Sequence, residues 1–306
     1  MPEYTIIRAF AGANVNFFSS QDFRMTGIFS FTLYTRIVKI RNMCPEKSRE
    51  INLTLDQVQS ALLSFDQKVV EKKLGKHEVI EKYFELQARL AAFSQGEPNP
   101  AYSQDDSKIL PVGVYRFTTG MQHVIPFAGI KRNDAVLDVG CGIGADAYFA
   151  AVASGPLGRV LGIDVCGYLI DRAKAWAADK GFRHVRFVHG PAEELPLSDR
   201  IIDAAVLNHS FHLMDHEQVI KELARVMKRM GRVIIADVFR QPDAPPKKGA
   251  FEQPSNWIHF AAGAKSFDEY REMAKKYGFH SSRFVRSSGA DPSCGCMIIE
   301  RMPTLA

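Results

Sequence analysis

The sequence predicts an α/β protein with a doubly wound, mostly parallel sheet that carries helices on both faces. From residue 135 onward, short apolar runs alternate with segments of helical length and pattern. Such alternation is typical of β-α-β units. The first apolar run ends in Gly140-Cys-Gly142-Ile-Gly144, at the carboxyl end of a strand, where open α/β sheets bind their ligands.

Seven strands are predicted, which gives a Rossmann-like sheet with right-handed crossovers. The stretch between the last two strands contains Gly289-Ala-Asp-Pro292, and so short a connection favours an antiparallel last strand. The predicted strands cover residues 135–139, 159–165, 185–189, 202–207, 232–238, 282–286 and 297–300. The predicted helices cover residues 145–153, 168–180, 216–230 and 266–278.

Three further regions are predicted outside the sheet. Residues 1–52 have no organised pattern and are predicted to be a poorly defined or flexible segment. Residues 53–110 are predicted to be an accessory N-terminal helical extension, one helix beginning at Thr54 and another covering 79–91, followed by a polar linker over 94–110. Residues 111–306 form the main domain, in which a Pro-containing insert at 241–265 is predicted to cover the substrate.

Composition excludes several classes of protein. The net charge of +5 is small for 306 residues, and no run of five basic residues occurs, so a nucleic-acid partner is not expected. No apolar stretch is long enough to span a membrane, and none resembles a secretory signal. The five cysteines (Cys44, Cys141, Cys166, Cys294 and Cys296) are scattered, which favours a reducing, cytoplasmic location over a disulfide-bonded one.

The glycine loop alone allows two kinds of nucleotide ligand. Gly140, Gly142 and Ala145 satisfy the dinucleotide pattern G-x-G-x-x-A, and Asp164 at the end of the next strand suits ribose hydroxyls in either case. Asp138, two residues before the first glycine, separates the two readings. Its carboxylate suits a ligand with a cationic end and would repel a pyrophosphate.

Around these residues the sequence resembles the class I S-adenosylmethionine-dependent methyltransferases. Val136-Leu-Asp-Val-Gly-Cys-Gly-Ile-Gly144 is similar to their first motif and Gly162-Ile-Asp164 to their second. The resemblance covers about residues 111–302. Within the family it points to the branch of ubiquinone/menaquinone-biosynthesis and sugar or polyketide methyltransferases, which act on small molecules. The later matching segments are Gly190–Pro196, Asp203–Asn208, Glu222–Lys228 and Gly231–Asp237.

This resemblance implies S-adenosylmethionine as the cofactor and gives its residues roles. Asp138 would face the amino group through water or backbone, Asp164 would bind both ribose hydroxyls, and Ala192 would offer a backbone N–H to the adenine. Pro191 departs from the family, which often has an acid there, and this removes one contact to the adenine. The residues that the resemblance assigns to the cofactor are Asp138, Gly140, Cys141, Gly142, Gly144, Asp164, Val165, Ala192, Glu193, Asn208 and His209.

Catalysis by methyl transfer needs a general base only when the acceptor must lose a proton. His209 and His212 follow the fourth predicted strand, where the family lines its substrate pocket, and histidine suits that role near neutral pH. The alternative is that His212 only packs and hydrogen-bonds within the loop.

The acceptor is predicted from less direct signals. Tyr115, His212, Trp257 and Phe260 are the expected substrate contacts, with His123 and His259 also within the two covering regions. Their aromatic character suggests an apolar or ring-bearing acceptor, although loop aromatics more often belong to the core.

Cys294 and Cys296 could bind a soft metal or a thiophilic substrate, but burial in a strand is the plainer reading, and no metal site is predicted. Similar arsenite methyltransferases have a cysteine directly after the asparagine that matches Asn208. Here that position is His209, which argues against an arsenic substrate.

The predicted function is therefore transfer of a methyl group from S-adenosylmethionine to an O-, N- or C-nucleophile of a small molecule. Two alternatives remain open. One is an NAD(P)-dependent oxidoreductase, which rests on G-x-G-x-x-A. The other is a binding or assembly protein that has the methyltransferase fold without catalysis, which the extra helices at 53–93 motivate. The sequence gives no indication of the oligomeric state.

Overall fold

The computed structural model describes residues 75–92, 99, 101–103, 105–110, 114, 118–241, 263–286 and 294–301. The segment 1–52, the predicted helix after Thr54 and nearly all of the insert lie outside the described residues. No helix among the described residues is long and apolar enough to cross a bilayer.

Seven strands form one sheet in the order β3-β2-β1-β4-β5-β7-β6. β1 to β5 run parallel, and β7 lies antiparallel between β5 and β6. The predicted doubly wound sheet with one antiparallel last strand is confirmed. The strands are β1 (Ala135–Val139), β2 (Arg159–Asp164), β3 (Val185–His189), β4 (Ile202–Asn208), β5 (Met227–Val238), β6 (Phe279–Arg286) and β7 (Cys294–Arg301).

Helices cover both faces of this sheet, and the residues that begin and end them have the expected chemistry. Ser266 and Glu269 form the predicted capping box at the start of the last helix, and Gly278 follows that helix with a φ of 86°. The helices are α1 (Lys76–Ala92), α2 (Asp106–Ile109), α3 (Ile125–Ala128), α4 (Ala145–Ser154), α5 (Gly167–Asp179), α6 (His216–Val226) and α7 (Phe267–Lys276), with a 3-10 turn at Phe211–Leu213.

The predicted helix over 216–230 is wrong at its C-terminal end. α6 ends at Val226, and β5 begins at Met227, five residues before the predicted strand. Met227 pairs with Ile202 of β4, and the Lys228 ammonium binds both carboxylate oxygens of Asp203 at 2.9 and 2.7 Å. Contacts with the neighbouring strand therefore override the helical pattern of the local sequence.

The apolar side chains of β1 alternate between two cores, one on each face of the sheet. Val136 belongs to the core under α4 and α5, whereas Leu137 and Val139 face the core under α6 and α7. A third, smaller cluster joins Val79, Ile80 and Tyr83 of α1 to Leu213 and Val165. The apolar stripe of the predicted accessory helix is thus buried at the carboxyl edge of the sheet, beside the ends of β2 and β4.

Candidate active site

The glycine loop between β1 and α4 is fixed by backbone hydrogen bonds and leaves one side open. The N–H groups of Gly140 and Cys141 both donate to the Ile163 carbonyl, at 2.8 and 3.0 Å. A Cβ on Gly140, whose φ is 69°, would lie 2.4 Å from Cβ of Ser210. At Gly142, with a φ of 52°, the nearest described atom would be 4.0 Å away, in Leu169. Gly140 is therefore required by the protein's own packing, whereas Gly142 leaves space for a ligand.

Asp164 ends β2 with its carboxylate held in place by two backbone donors. Oδ2 accepts from the N–H of Gly142 and Oδ1 from the N–H of Cys166, both at 2.8 Å. Burial raises the pKa of this carboxyl, and the two backbone donors oppose that rise. Because a carboxylate oxygen accepts more than one hydrogen bond, each oxygen still has capacity for a ribose hydroxyl.

Asp138 is a buried carboxylate with one oxygen unsatisfied. Only 2% of the residue is exposed, and Oδ2 has no hydrogen-bond partner among the described residues. Burial and the neighbouring Asp146 carboxylate raise the pKa of Asp138 well above its usual value, although the N–H of Ala147 opposes this. An unpaired buried acid is costly unless a ligand supplies a partner. A cationic ammonium is the partner that fits.

Asn208, at the end of β4, is the centre of a buried hydrogen-bond network. Its Nδ2 donates to Asp146 Oδ2 and to the Gln122 carbonyl, both at 2.8 Å, and lies 3.3 Å from the Tyr102 hydroxyl. Its Oδ1 accepts from the N–H of Met121 at 2.8 Å. Burial raises the pKa of Asp146 to about 6, against the hydrogen bonds from Asn208 and Tyr102. The Asn208 amide thus connects Asp146 of α4, the segment at Met121 and Gln122, and Tyr102.

Residues 118–122, here called the strap, cross the edge of the sheet before β1. The strap is held by Asn208 and also by Asn99, whose Nδ2 donates to the carbonyls of Thr118 and Gly120 at 3.0 and 2.8 Å. Asn99 and Tyr102 lie in the segment predicted to be a polar linker, so the sequence reasoning missed both. Nothing in the local composition distinguishes them, because their partners are distant in sequence.

The turn after β3 contains the residues predicted to lie near the adenine. Ala192 is buried. Glu193, however, is already engaged: Oε1 accepts from the N–H of Asp215 at 2.9 Å, and Oε2 lies 3.4 Å from His77 Nε2. The Glu193 side chain therefore ties the turn to the start of α6 and to α1. Val165 lies in the small cluster with α1.

The two predicted catalytic histidines lie together after β4. Their ring centroids are 5.3 Å apart. His212 Nδ1 is 2.8 Å from Asp237 Oδ1, and the backbone N–H of His212 donates to Asp237 Oδ2 at 3.0 Å. His209 Nδ1 is 3.0 Å from the Thr119 carbonyl of the strap. Burial and the neighbouring His212 lower the pKa of His209 to about 4. Asp237, which ends β5, was missed as a partner because nothing local links it to His212.

Other predicted site residues are placed differently or not described. Tyr115, Trp257, His259 and Phe260 lie outside the described residues. His123 packs on Phe149, with ring centroids 4.6 Å apart, on the same side of the sheet as Tyr102. In β7, Cys296 is fully buried and has a free thiol, whereas Cys294 is partly buried. Burial raises the pKa of Cys296 to about 12. The described part of the chain holds no cluster of metal-ligating side chains.

Comparison with known proteins identifies the domain. Residues 137–235 match the family model described as a methyltransferase domain. The chain is 30% identical to an arsenite methyltransferase of Halobacterium salinarum over 179 residues, which are 55% of this chain and 45% of that protein. It is 27% identical to a demethylmenaquinone methyltransferase of Listeria monocytogenes over 180 residues, 52% of this chain and 76% of that protein. The chain thus spans less than half of the first relative.

Two solved structures share the fold. An arsenic(III) S-adenosylmethionine methyltransferase from Chlamydomonas reinhardtii gives a TM-score of 0.51 at 24% identity and covers 69% of this chain and 76% of its own. A geranyl diphosphate C-methyltransferase from Streptomyces coelicolor gives a TM-score of 0.54 at 17% identity, covering 75% and 99%. Together with the family match, the glycine loop and the acids that end β1 and β2, these findings identify the domain. Residues 137–235 form a methyltransferase domain, and the chain shares the fold of these two methyltransferase structures.

Proposed function

We propose that this protein transfers the methyl group of S-adenosylmethionine to a small-molecule acceptor. The observation that carries the proposal is the unsatisfied, buried Oδ2 of Asp138, in the strand that leads into the glycine loop. A protein that only kept the fold has no reason to maintain an uncompensated acid in its interior. A cofactor with an ammonium group supplies the missing partner, whereas a dinucleotide would bring like charge towards it.

Each part of the cofactor has a matching group in the chain. Asp138 would pair with the ammonium, the N–H groups and open face of the loop at Gly142 would line the methionine and ribose portions, and Asp164 would accept from the ribose hydroxyls. The backbone at Ala192 would contact the adenine, beside Val165. The Asn208 amide already bonds to Asp146, Gln122 and Met121, so we assign it to holding the strap at the methionine end and not to direct binding.

The bound cofactor supplies an activated methyl group, and the chain's own task is positioning. Asn99 and Asn208 fix the strap. The strap and the loop that carries His209 and His212 both lie at the edge of the sheet where the glycine loop is found. These elements orient the acceptor towards the methyl group and exclude water from it. Holding two reactants in line is the main source of rate for such a displacement.

The acceptor is proposed to be a small organic molecule with an apolar or ring-bearing portion. The matched relatives and fold neighbours are named for arsenite, demethylmenaquinone and geranyl diphosphate. His209 occupies the position after Asn208, and no described side chain there is a thiol, which favours an organic acceptor over arsenite. We further propose a cytoplasmic location, in keeping with free thiols at Cys141, Cys166 and Cys296.

The test is methyl transfer from isotopically labelled S-adenosylmethionine to a panel of quinols, phenols, isoprenoid diphosphates and arsenite, read by mass spectrometry. Labelled product from an organic acceptor supports the proposal, and product from arsenite alone contradicts the acceptor class. Reduction or oxidation of a substrate with NAD(P)H would favour an oxidoreductase. Cofactor binding without any product across the panel would favour a non-catalytic binding protein. The matched control is Asp138→Asn, which should bind the cofactor weakly.

A further inference from the structure

We propose that Asp237 is a positioning residue that holds His212 as a general base, so that the acceptor is one that loses a proton during methylation. The acceptor class is then a hydroxyl, enol or N–H compound, in place of a nucleophile that already has a free lone pair. This inference rests on the proposed function, and it goes further by naming both a residue and the chemistry of the acceptor atom.

The contact between Asp237 and His212 fixes the ring in two ways. Oδ1 of Asp237 lies 2.8 Å from Nδ1 of the ring, and Oδ2 accepts from the backbone N–H of the same histidine at 3.0 Å. Both side chains are almost completely buried, at 3% and 2% exposure. A carboxylate so placed selects the tautomer with the proton on Nδ1, which leaves the lone pair of Nε2 available. No described residue forms a hydrogen bond with Nε2.

The pair lies at the edge of the sheet where the cofactor binds. His212 follows β4, which pairs with β1, and Asp237 lies at the end of β5, on the other side of β4. Ser210, between the two histidines, donates to the carbonyl of Val139 at 3.0 Å, directly before the glycine loop. The same serine is the residue that a Cβ on Gly140 would meet. The histidine loop and the glycine loop are therefore packed against each other.

The surrounding charges favour His212 as the proton acceptor. Burial would raise the pKa of Asp237, but His212 and its hydrogen bond lower it below the usual value, so the carboxylate stays ionised. Burial lowers the pKa of His209 and of His216 to about 4, so both neighbouring rings are neutral at pH 7. Lys265 and Lys76 act on His216 from other elements. A proton taken by His212 is thus balanced by the Asp237 carboxylate, 2.8 Å from Nδ1.

In the proposed step, the bond between the acceptor atom and its hydrogen breaks, the electron pair stays on that atom, and the proton goes to Nε2 of His212. That pair forms the bond to the methyl carbon as the carbon–sulfur bond breaks and sulfur keeps its electrons. The imidazolium is stabilised by the Asp237 carboxylate until the proton leaves to solvent.

The first test reads the ring directly and needs no acceptor. Nitrogen-15 NMR of the full chain at pH 7.5, with and without S-adenosylhomocysteine, should show His212 as the tautomer protonated on Nδ1. In Asp237→Asn that preference should be lost, and in Asp237→Glu it should be partly restored. A wild-type ring protonated on Nε2 would overturn the proposal. Failure of the wild type to bind S-adenosylhomocysteine would instead contradict the proposed function.

The second test separates positioning from binding. With phenols and naphthols of graded acidity as acceptors, Asp237→Asn and His212→Gln should each lower kcat about 100-fold or more, and the deficit should shrink as the phenol becomes more acidic. The affinity for S-adenosylhomocysteine should stay within about threefold, which shows that the variants fold. Asp203→Asn, another carboxylate of the sheet, is the matched control. Equal loss for all phenols, or unchanged kcat, would assign the pair a structural role only.

Discussion

Replacing Asp138 by Asn should change cofactor affinity and stability in opposite directions. The wild-type carboxyl is buried with Oδ2 unsatisfied, and Asp146 lies near enough to raise its pKa further. The amide removes this charge and with it the repulsion from Asp146. Removing an uncompensated buried acceptor is worth about 1–3 kcal/mol, which corresponds to roughly 3–9 °C in Tm for a domain of this size. We expect that gain in the cofactor-free protein.

The pH dependence of this effect has a definite sign. The pKa of Asp138 is raised in the folded protein, so the wild type loses stability as pH rises from the unfolded pKa through the folded one. Below the unfolded pKa the carboxyl is neutral in both states, and the variant should have little advantage. The advantage should grow as pH rises through the folded pKa of Asp138. Thermal unfolding at several pH values measures this directly.

Binding of S-adenosylhomocysteine, measured by calorimetry, should weaken at least tenfold in the same variant, because a charge-assisted contact to the ammonium is lost. Asp203→Asn is the control. Asp203 is satisfied by Lys228 and by the N–H of Ala135, so this variant should be destabilised and should bind normally. If Asp138→Asn were destabilised and kept full affinity, the assignment of Asp138 to the cofactor would be refuted.

Three further predictions follow from the same site. Asn208→Ala should lower the free energy of unfolding in urea by about 2–4 kcal/mol, since it removes the donor to Asp146 Oδ2 and both hydrogen bonds between Asn208 and the strap. An unchanged midpoint would contradict the network. Gly142→Ala should lower stability by about 1–2 kcal/mol, because the residue has a positive φ. It should also abolish detectable cofactor binding, because the added methyl group enters the open side of the loop, and full binding would contradict the ligand's placement. Cofactor binding at pH 6–7 should release protons from Asp138 and Asp146, because burial raises the pKa of both. Binding enthalpies that do not depend on the buffer's ionisation enthalpy would argue against this.

The parts of the fold that could be predicted are those specified by short-range sequence pattern. The apolar runs and their glycine endings located the strands, and Ser266 with Glu269 located the start of α7. The end of α6 could not be found this way, because Met227 and Lys228 are recruited by Ile202 and Asp203 on the neighbouring strand. Where pairing across the sheet competes with local preference, the sequence pattern alone is misleading.

In the candidate site, too, local sequence pattern predicts some residues, and long-range contacts determine the others. Asp138, Asp164 and the glycine loop follow each other at fixed spacings from strand ends, so their positions could be predicted. Their hydrogen bonding could not be predicted, because Oδ2 of Asp138 lacks a partner only as a result of how the fold arranges the groups around it. Residues that act on the site from a distance, such as Tyr102 and Asp237, become visible only when the fold brings them to their partners.

The central claim is that the edge of the sheet around Asp138 and the glycine loop binds S-adenosylmethionine and not a dinucleotide. The most direct measurement is calorimetric titration of the full chain with S-adenosylhomocysteine and, separately, with NADH and NADPH. The structure predicts saturable binding of one S-adenosylhomocysteine per chain and no binding of either dinucleotide. Binding of NADH or NADPH with no response to S-adenosylhomocysteine would contradict the account.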